Sequence, residues 1–162
     1  MNILGHRGIW ADRSQQNTLE SLTACVPLGY GIELDVRDRN GELVVSHDLT
    51  EDDSPLLEDV LCALSGFDSY IAVNIKEDGL CISTSLMCDK FNIRHYLFDM
   101  SVPETVICEK KALPYFTRLS EYEFPSVLDY KASGVWLDAF NGQWFDVSLI
   151  DSLLNSGKEV AV

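Results

Sequence analysis

Two carboxylates one residue apart, Glu33 and Asp35, interrupt an otherwise apolar run from Gly31 to Val36. Side chains alternate along a strand, so the pair projects from one face. Two oxygen ligands at this spacing suit a hard divalent cation, Mg2+ or Ca2+, completed by water and a substrate phosphate; zinc would want His or Cys. The competing reading is a pair of carboxylates neutralised by Arg37 or Arg39. His6 and His47 are two of only three histidines in the chain. Two histidines can divide phosphodiester cleavage, one taking a proton from the attacking hydroxyl and the other protonating the leaving oxygen. Arg7 and Lys76 offer the fixed cations that a pentacoordinate phosphorus needs, although either could equally be ordinary surface charge. His95 begins a strand, at the opposite end from these residues, and reads as structural.

Something must bring these residues together, and the pattern along the chain says what. Strands are predicted at Asn2–Gly5, Gly31–Val36, Tyr70–Ile75, Tyr96–Asp99, Tyr115–Arg118, Val135–Ala139 and Glu159–Val162. Helical stretches lie between them near Leu19–Leu28, Ser54–Leu64, Leu80–Phe91, Pro103–Lys111, Pro125–Lys131 and Val147–Leu154. Asn17 with Glu20 reads as a capping box for the first helix, and Ser54-Pro55 as the cap and first residue of the second. Asn40-Gly41 is a two-residue turn signal before the alternating Glu42–Ser46, which makes a hairpin inserted after strand two.

Strands alternating with helices predict an α/β fold with a parallel sheet. Seven parallel strands fall one short of a (β/α) TIM-type barrel of ~250 residues, so an incomplete barrel is expected, with an open doubly wound sheet as the alternative. No glycine-rich phosphate loop supports the alternative. In a barrel the C-terminal strand ends share one mouth. His6, Arg7, Glu33, Asp35, His47, Lys76, Asp99, Arg118 and Asp138 all fall at or just past such ends.

The 162 residues carry a formal charge of −14. That charge repels nucleic acid and anionic membrane surfaces, though a bound cation and a few basic side chains can still receive a small anion. Without a leader-like segment or an apolar run of ~20 residues, a soluble, cytoplasmic single domain is expected. Cys25, Cys62, Cys81, Cys88 and Cys108 lack metal-binding spacing and read as buried small hydrophobes.

Four linked motifs resemble the signature of the glycerophosphodiester phosphodiesterase family: Gly5-His6-Arg7-Gly8, Asn17-Thr18-Leu19-Glu20-Ser21, Gly31-Ile32-Glu33-Leu34-Asp35-Val36 and Gly41-Glu42-Leu43-Val44-Val45-Ser46-His47-Asp48. Phe98–Pro103 and Gly134–Asp138 resemble a short bacterial branch often associated with surface-polysaccharide genes. The resemblance implies a TIM-barrel hydrolase of lipid metabolism that cleaves small-molecule phosphodiesters. His6 and His47 would be acid and base, Arg7 would hold the phosphate, and Glu33 and Asp35 would hold the metal. It further implies attack by the substrate's own hydroxyl, giving a cyclic phosphate. Where the family carries acids, this chain has Gln16 and Asn74, which leaves Asn74 as a third metal donor and Glu77 or Asp78 to compensate. A binding module without turnover is the alternative function, and a structural fragment a third. The missing unit predicts C-terminal truncation by roughly 50 to 90 residues and apolar surfaces suited to a homo-oligomer.

Overall fold

The computed structural model describes residues 3–49, 53–66, 68, 70–123 and 131–162. It contains β1 (Leu4–His6), α1 (Leu19–Thr23), β2 (Gly31–Arg39), β3 (Glu42–Val45), α2 (Leu57–Ala63), β4 (Tyr70–Ile75) and α3 (Cys81–Lys90). Then come β5 (Arg94–Phe98), α4 (Val102–Lys111), β6 (Phe116–Leu119), β7 (Gly134–Leu137), α5 (Val147–Asn155) and β8 (Glu159–Ala161). The predicted helix at Pro125–Lys131 lies outside the described residues, save for Lys131 itself.

Among the described strands every strand–strand ladder is parallel except that of β3, which folds back on β2 as the Asn40-Gly41 turn requires. One sheet runs β1-β2-β4-β5 with β3 against β2, and the other runs β6-β7-β8. An isolated parallel bridge between Leu97 and Tyr115 joins β5 to the start of the second sheet, so the strands follow one another in chain order. The fold is thus a mixed α/β arrangement with parallel sheets.

The period-two pattern assigns the two faces. Ile32, Leu34 and Val36 of β2 and Ile71, Val73 and Ile75 of β4 pack with Leu22, Leu57, Leu61, Cys88 and Cys108 from the helices. Ala72, Tyr96, Phe98 and Phe116 form a separate cluster on the other face, joined by Leu4, Tyr70, Trp136 and Ala161. Tyr96 stacks on Phe116 with centroids 3.7 Å apart, and Phe98 on Trp136 at 4.5 Å. These rings tie β5 to both β6 and β7 and hold the two sheets together. Glu33, Asp35 and Asn74 share this face, because Asp35 pairs in register with Asn74 and Glu33 with Ala72. Strand β2 is buried on both sides, as a sheet covered on both faces demands.

Helix boundaries follow local chemistry, with three departures from expectation. Ser101 accepts from the Glu104 amide at the start of α4, and Asp146 accepts from Leu149 at the start of α5. Helix α1 is capped by Thr18, not by an Asn17–Glu20 box, and gives way to a 3-10 turn over Val26–Leu28 where Pro27 interrupts it. Asp12 and Gln15 form the capping box instead, on the preceding 3-10 turn. Helix α2 begins at Leu57 after the uncapped Leu56, later than Ser54-Pro55 suggested; Pro55 instead gives its carbonyl to the Val45 amide. Four cysteines are buried as expected, but Cys62 is exposed. Among the described residues no helix is long and apolar enough to cross a membrane.

Candidate active site

The β1–α1 connection builds the first part of the site. Arg7 has φ 56° and Asn17 φ 59°, the left-handed region that a long side chain such as arginine rarely adopts. Gly8 lets the connection close on α1, since a Cβ there would stand 2.5 Å from the Ser21 backbone at φ +90°. In this conformation the Arg7 amide donates to both the carbonyl and the carboxylate of Glu33, each at 3.0 Å. Its side chain then turns to Asp35, with Nε 3.0 Å from Oδ2, while Nη1 donates to Gln16 Oε1 at 3.2 Å.

Asp35 is fully buried and is the hub of the site. Asn17 Nδ2 donates to Oδ2 at 2.9 Å, and Lys76 Nζ lies 3.1 Å from Oδ1. Lys76 is also 3.7 Å from Asp99 Oδ2, and Arg118 Nη1 lies 2.5 Å from the other oxygen of that carboxylate. Arg118 is clamped by Glu123, with Nε 2.9 Å from Oε2, and approaches Asp138 at 4.0 Å. An ion chain thus crosses the C-terminal ends of β2, β4, β5, β6 and β7.

His6 Nε2 stands 4.0 Å from Glu33 Oε2. Burial, and then the neighbouring Arg7 charge, lower the His6 pKa below its usual value, so the imidazole is neutral near pH 7 and able to accept a proton. His47 lies two residues beyond β3, just past its end, with Nδ1 2.8 Å from Asp48 Oδ1. A carboxylate can only accept there, so Nδ1 carries the proton and Nε2 is the nitrogen presented elsewhere. His47, Gln16 and Asn17 line a cavity of about 280 Å³, and His6 and Glu33 line another of about 560 Å³ walled by Tyr96, Phe116 and Trp136. His95 is buried away from both, between Ser85 Oγ and the Ile93 carbonyl.

Burial, reinforced by the Asp35 charge, raises the Glu33 pKa from 4.5 to about 7. The folded state therefore favours protonated Glu33, and the stability this provides is complete below pH 4.5 and lost as pH rises through about 7. A shift of that size corresponds to about 3 kcal/mol. Glu33→Gln, which fixes the neutral form, is expected to stabilise the chain by up to about 3 kcal/mol at pH 8 and hardly at all at pH 4.5. Denaturant unfolding at the two pH values in chelating buffer checks this; an equal effect at both would contradict the shift.

Three oxygen donors on one face could take a hard cation: Glu33, Asp35 and Asn74. The Asn74 Oδ1 is buried without a hydrogen-bond partner, which is the kind of acceptor a cation would satisfy. Among the described residues no three His, Cys, Asp or Glu side chains group around a metal position, so this set depends on the amide. The donor types fit Mg2+ or Ca2+, provided Lys76 yields Asp35 Oδ1. Arg37 and Arg39 do not neutralise the pair. Arg37 binds Glu77, and Arg39 reaches Glu42. Glu77 is thereby committed to Arg37, and Asp78 accepts from Ser101, so neither takes the place of the missing acids.

The structure thus gathers His6, Arg7, Gln16, Glu33, Asp35, Asn74, Lys76 and Asp99 at one end of the first sheet. Arg118 and Asp138 continue that edge on the second sheet, and His47 joins through the hairpin. Two participants were not foreseen. Asn17 read as a cap, although asparagine's tolerance of left-handed backbone was a usable signal; Glu123 gave none. Fold and site together define a parallel α/β chain with a buried cation–carboxylate cluster at the C-terminal strand ends. The chain matches no protein-family model, and no curated protein matches it.

Proposed function

We propose that the chain is a metal-assisted phosphodiesterase of the glycerophosphodiester phosphodiesterase family, built on an open (β/α) barrel. The observation that carries this reading is the Arg7–Asp35–Lys76 cluster beside the His6–Glu33 pair, since it sets two cations and an acid–base group at one sheet edge. Seven parallel strands in chain order among the described residues, and an aromatic cluster shared by both sheets, support the barrel.

Arg7 and Lys76 hold the phosphate, each oriented by Asp35 on its far side. Neutral His6 removes the proton from the attacking hydroxyl, which belongs to the substrate itself, so that only orientation and deprotonation are required. His47, in its doubly protonated form with Nδ1–H held by Asp48, gives its Nε2 proton to the departing oxygen. The two cavities, one lined by His47 and the other by His6, suit the two alcohol arms of a diester. A divalent cation held by Glu33, Asp35 and Asn74 would neutralise charge on the phosphate.

The charges make metal and phosphate binding cooperative. Because burial favours protonated Glu33, Arg7 and Lys76 already offset the Asp35 charge in full, so a lone dication adds uncompensated charge, whereas a dication arriving with phosphate does not. Calorimetry is expected to find a Mg2+ or Ca2+ affinity at least about tenfold higher with saturating inorganic phosphate. No binding under either condition would end the metal-assisted version.

A second reading, a phosphate-binding module without turnover, is favoured by one observation: Arg7, Lys76 and Asn17 already engage both Asp35 oxygens. Hydrolysis of an artificial phosphodiester, abolished by chelation, supports the enzyme. Binding of glycerol phosphate without hydrolysis supports the module.

A further inference from the structure

Lys76 is tethered by a flexible four-carbon stem and stands between two carboxylates, Asp35 at 3.1 Å and Asp99 at 3.7 Å. Asp35 alone would fix the distance of the ammonium from β2 but not its direction. Asp99 fixes the direction from β5. The cost to the chain is visible in the backbone, because Asp99 has φ 64°, a conformation glycine would adopt without strain. Of the six non-glycine residues with positive φ among the described residues, three (Arg7, Asn17 and Asp99) belong to this one cluster, whereas Asn40 serves the hairpin turn and Asn92 and Ala112 follow helix ends. The left-handed backbone, which aspartate tolerates better than most side chains, carries the carboxylate to within reach of both Lys76 and Arg118.

Arg118 in turn fixes Asp99. Its Nη1 reaches Asp99 Oδ1 at 2.5 Å, while Nε and Nη2 grip Glu123 at 2.9 to 3.1 Å. Glu123 is itself held by the Ser120 hydroxyl at 2.7 Å, and the guanidinium lies 5.6 Å from the centre of the Phe140 ring. With its nitrogens so occupied, Arg118 is a support for its neighbour and not a seat for substrate.

We propose that Asp99 and Arg118 are positioning residues: Arg118, anchored by Glu123, holds the Asp99 carboxylate, and Asp99 aims the Lys76 ammonium at the substrate phosphate. The inference rests on the reading of Lys76 as a phosphate ligand. It accounts for three ionisable residues, Asp99, Arg118 and Glu123, that touch no other part of the proposed chemistry.

The test uses the full chain with Asp99→Asn, Asp99→Gly and Asp99→Glu, following thermal melts, steady-state hydrolysis of an artificial phosphodiester and calorimetry with inorganic phosphate. Asp99→Asn and Asp99→Gly are expected to melt no lower than the parent while losing about 10- to 100-fold in kcat/KM, the scale of a misplaced catalytic cation. Phosphate affinity should fall with them, and Asp99→Glu should recover part of both. In a Lys76→Ala background Asp99→Asn should add no further loss, because the carboxylate acts through the lysine. A cycle with Arg118→Gln carries the same test should Lys76→Ala fail to fold. Parent-like kcat/KM in Asp99→Gly, or losses that simply multiply in the double variants, would overturn the inference while leaving the phosphodiesterase reading intact. A parent chain that neither hydrolyses diesters nor binds phosphate would overturn that reading, and the inference with it.

Discussion

Replacing His6 by alanine is expected to lower phosphodiester turnover by about two to four orders of magnitude, the usual contribution of a general acid or base. The side chain is 60% exposed, so little packing is lost and the melting temperature should stay near that of the parent. Burial and the Arg7 charge hold the imidazole pKa below 6.5, so the group is already neutral at pH 7. The rate should therefore climb with pH on the acid side and level off at a lower pH than an unperturbed histidine would give. His47→Ala should cause a loss of similar size. A folded His6→Ala chain that hydrolyses a diester at near-parent rates would remove His6 from the mechanism.

Asp35→Ala should act mainly on stability. The carboxylate is fully buried and faces both Arg7 and Lys76, whose side chains are only 18% and 15% exposed. Its removal leaves two largely buried cations without their shared partner and Asn17 Nδ2 without its acceptor. Breaking a buried pair in this way costs about 3–5 kcal/mol, a large part of the stability of a small domain. Asp35→Asn, which keeps an acceptor and loses the charge, should fall between parent and Asp35→Ala. Denaturant unfolding at pH 7 measures the difference, and a loss below about 1 kcal/mol would mean that the cluster is far more hydrated than its burial indicates.

Much of this was legible in the sequence because the period-two pattern and the turn signals act locally. The Gly31–Val36 run announced a strand with one apolar and one acidic face, and Asn40-Gly41 announced the hairpin. Both appear, and β2 carries Glu33 and Asp35 on the face away from the helices. The partners of those acids were less legible, since they depend on residues far apart in sequence. Asn17 shows the difficulty, because asparagine before a helix suits both a cap and a left-handed turn. Only the approach of Arg7 and Asp35 selects the turn, and Thr18 then takes the cap. Ser54-Pro55 likewise looked like a helix start, but pairing of Pro55 with β3 delays the helix to Leu57. Burial of Cys81, Cys88 and Cys108 but not Cys62 is likewise set by tertiary packing.

The central claim is that this cluster cleaves phosphodiesters, and phosphorus NMR of a glycerophosphodiester incubated with the chain and Mg2+ or Ca2+ tests it most directly. The account predicts that the diester resonance is replaced by that of a cyclic phosphate or a phosphomonoester. Conversion should stop on chelation and be all but lost in His6→Ala. A diester signal unchanged after prolonged incubation of the folded chain with either metal would contradict the account.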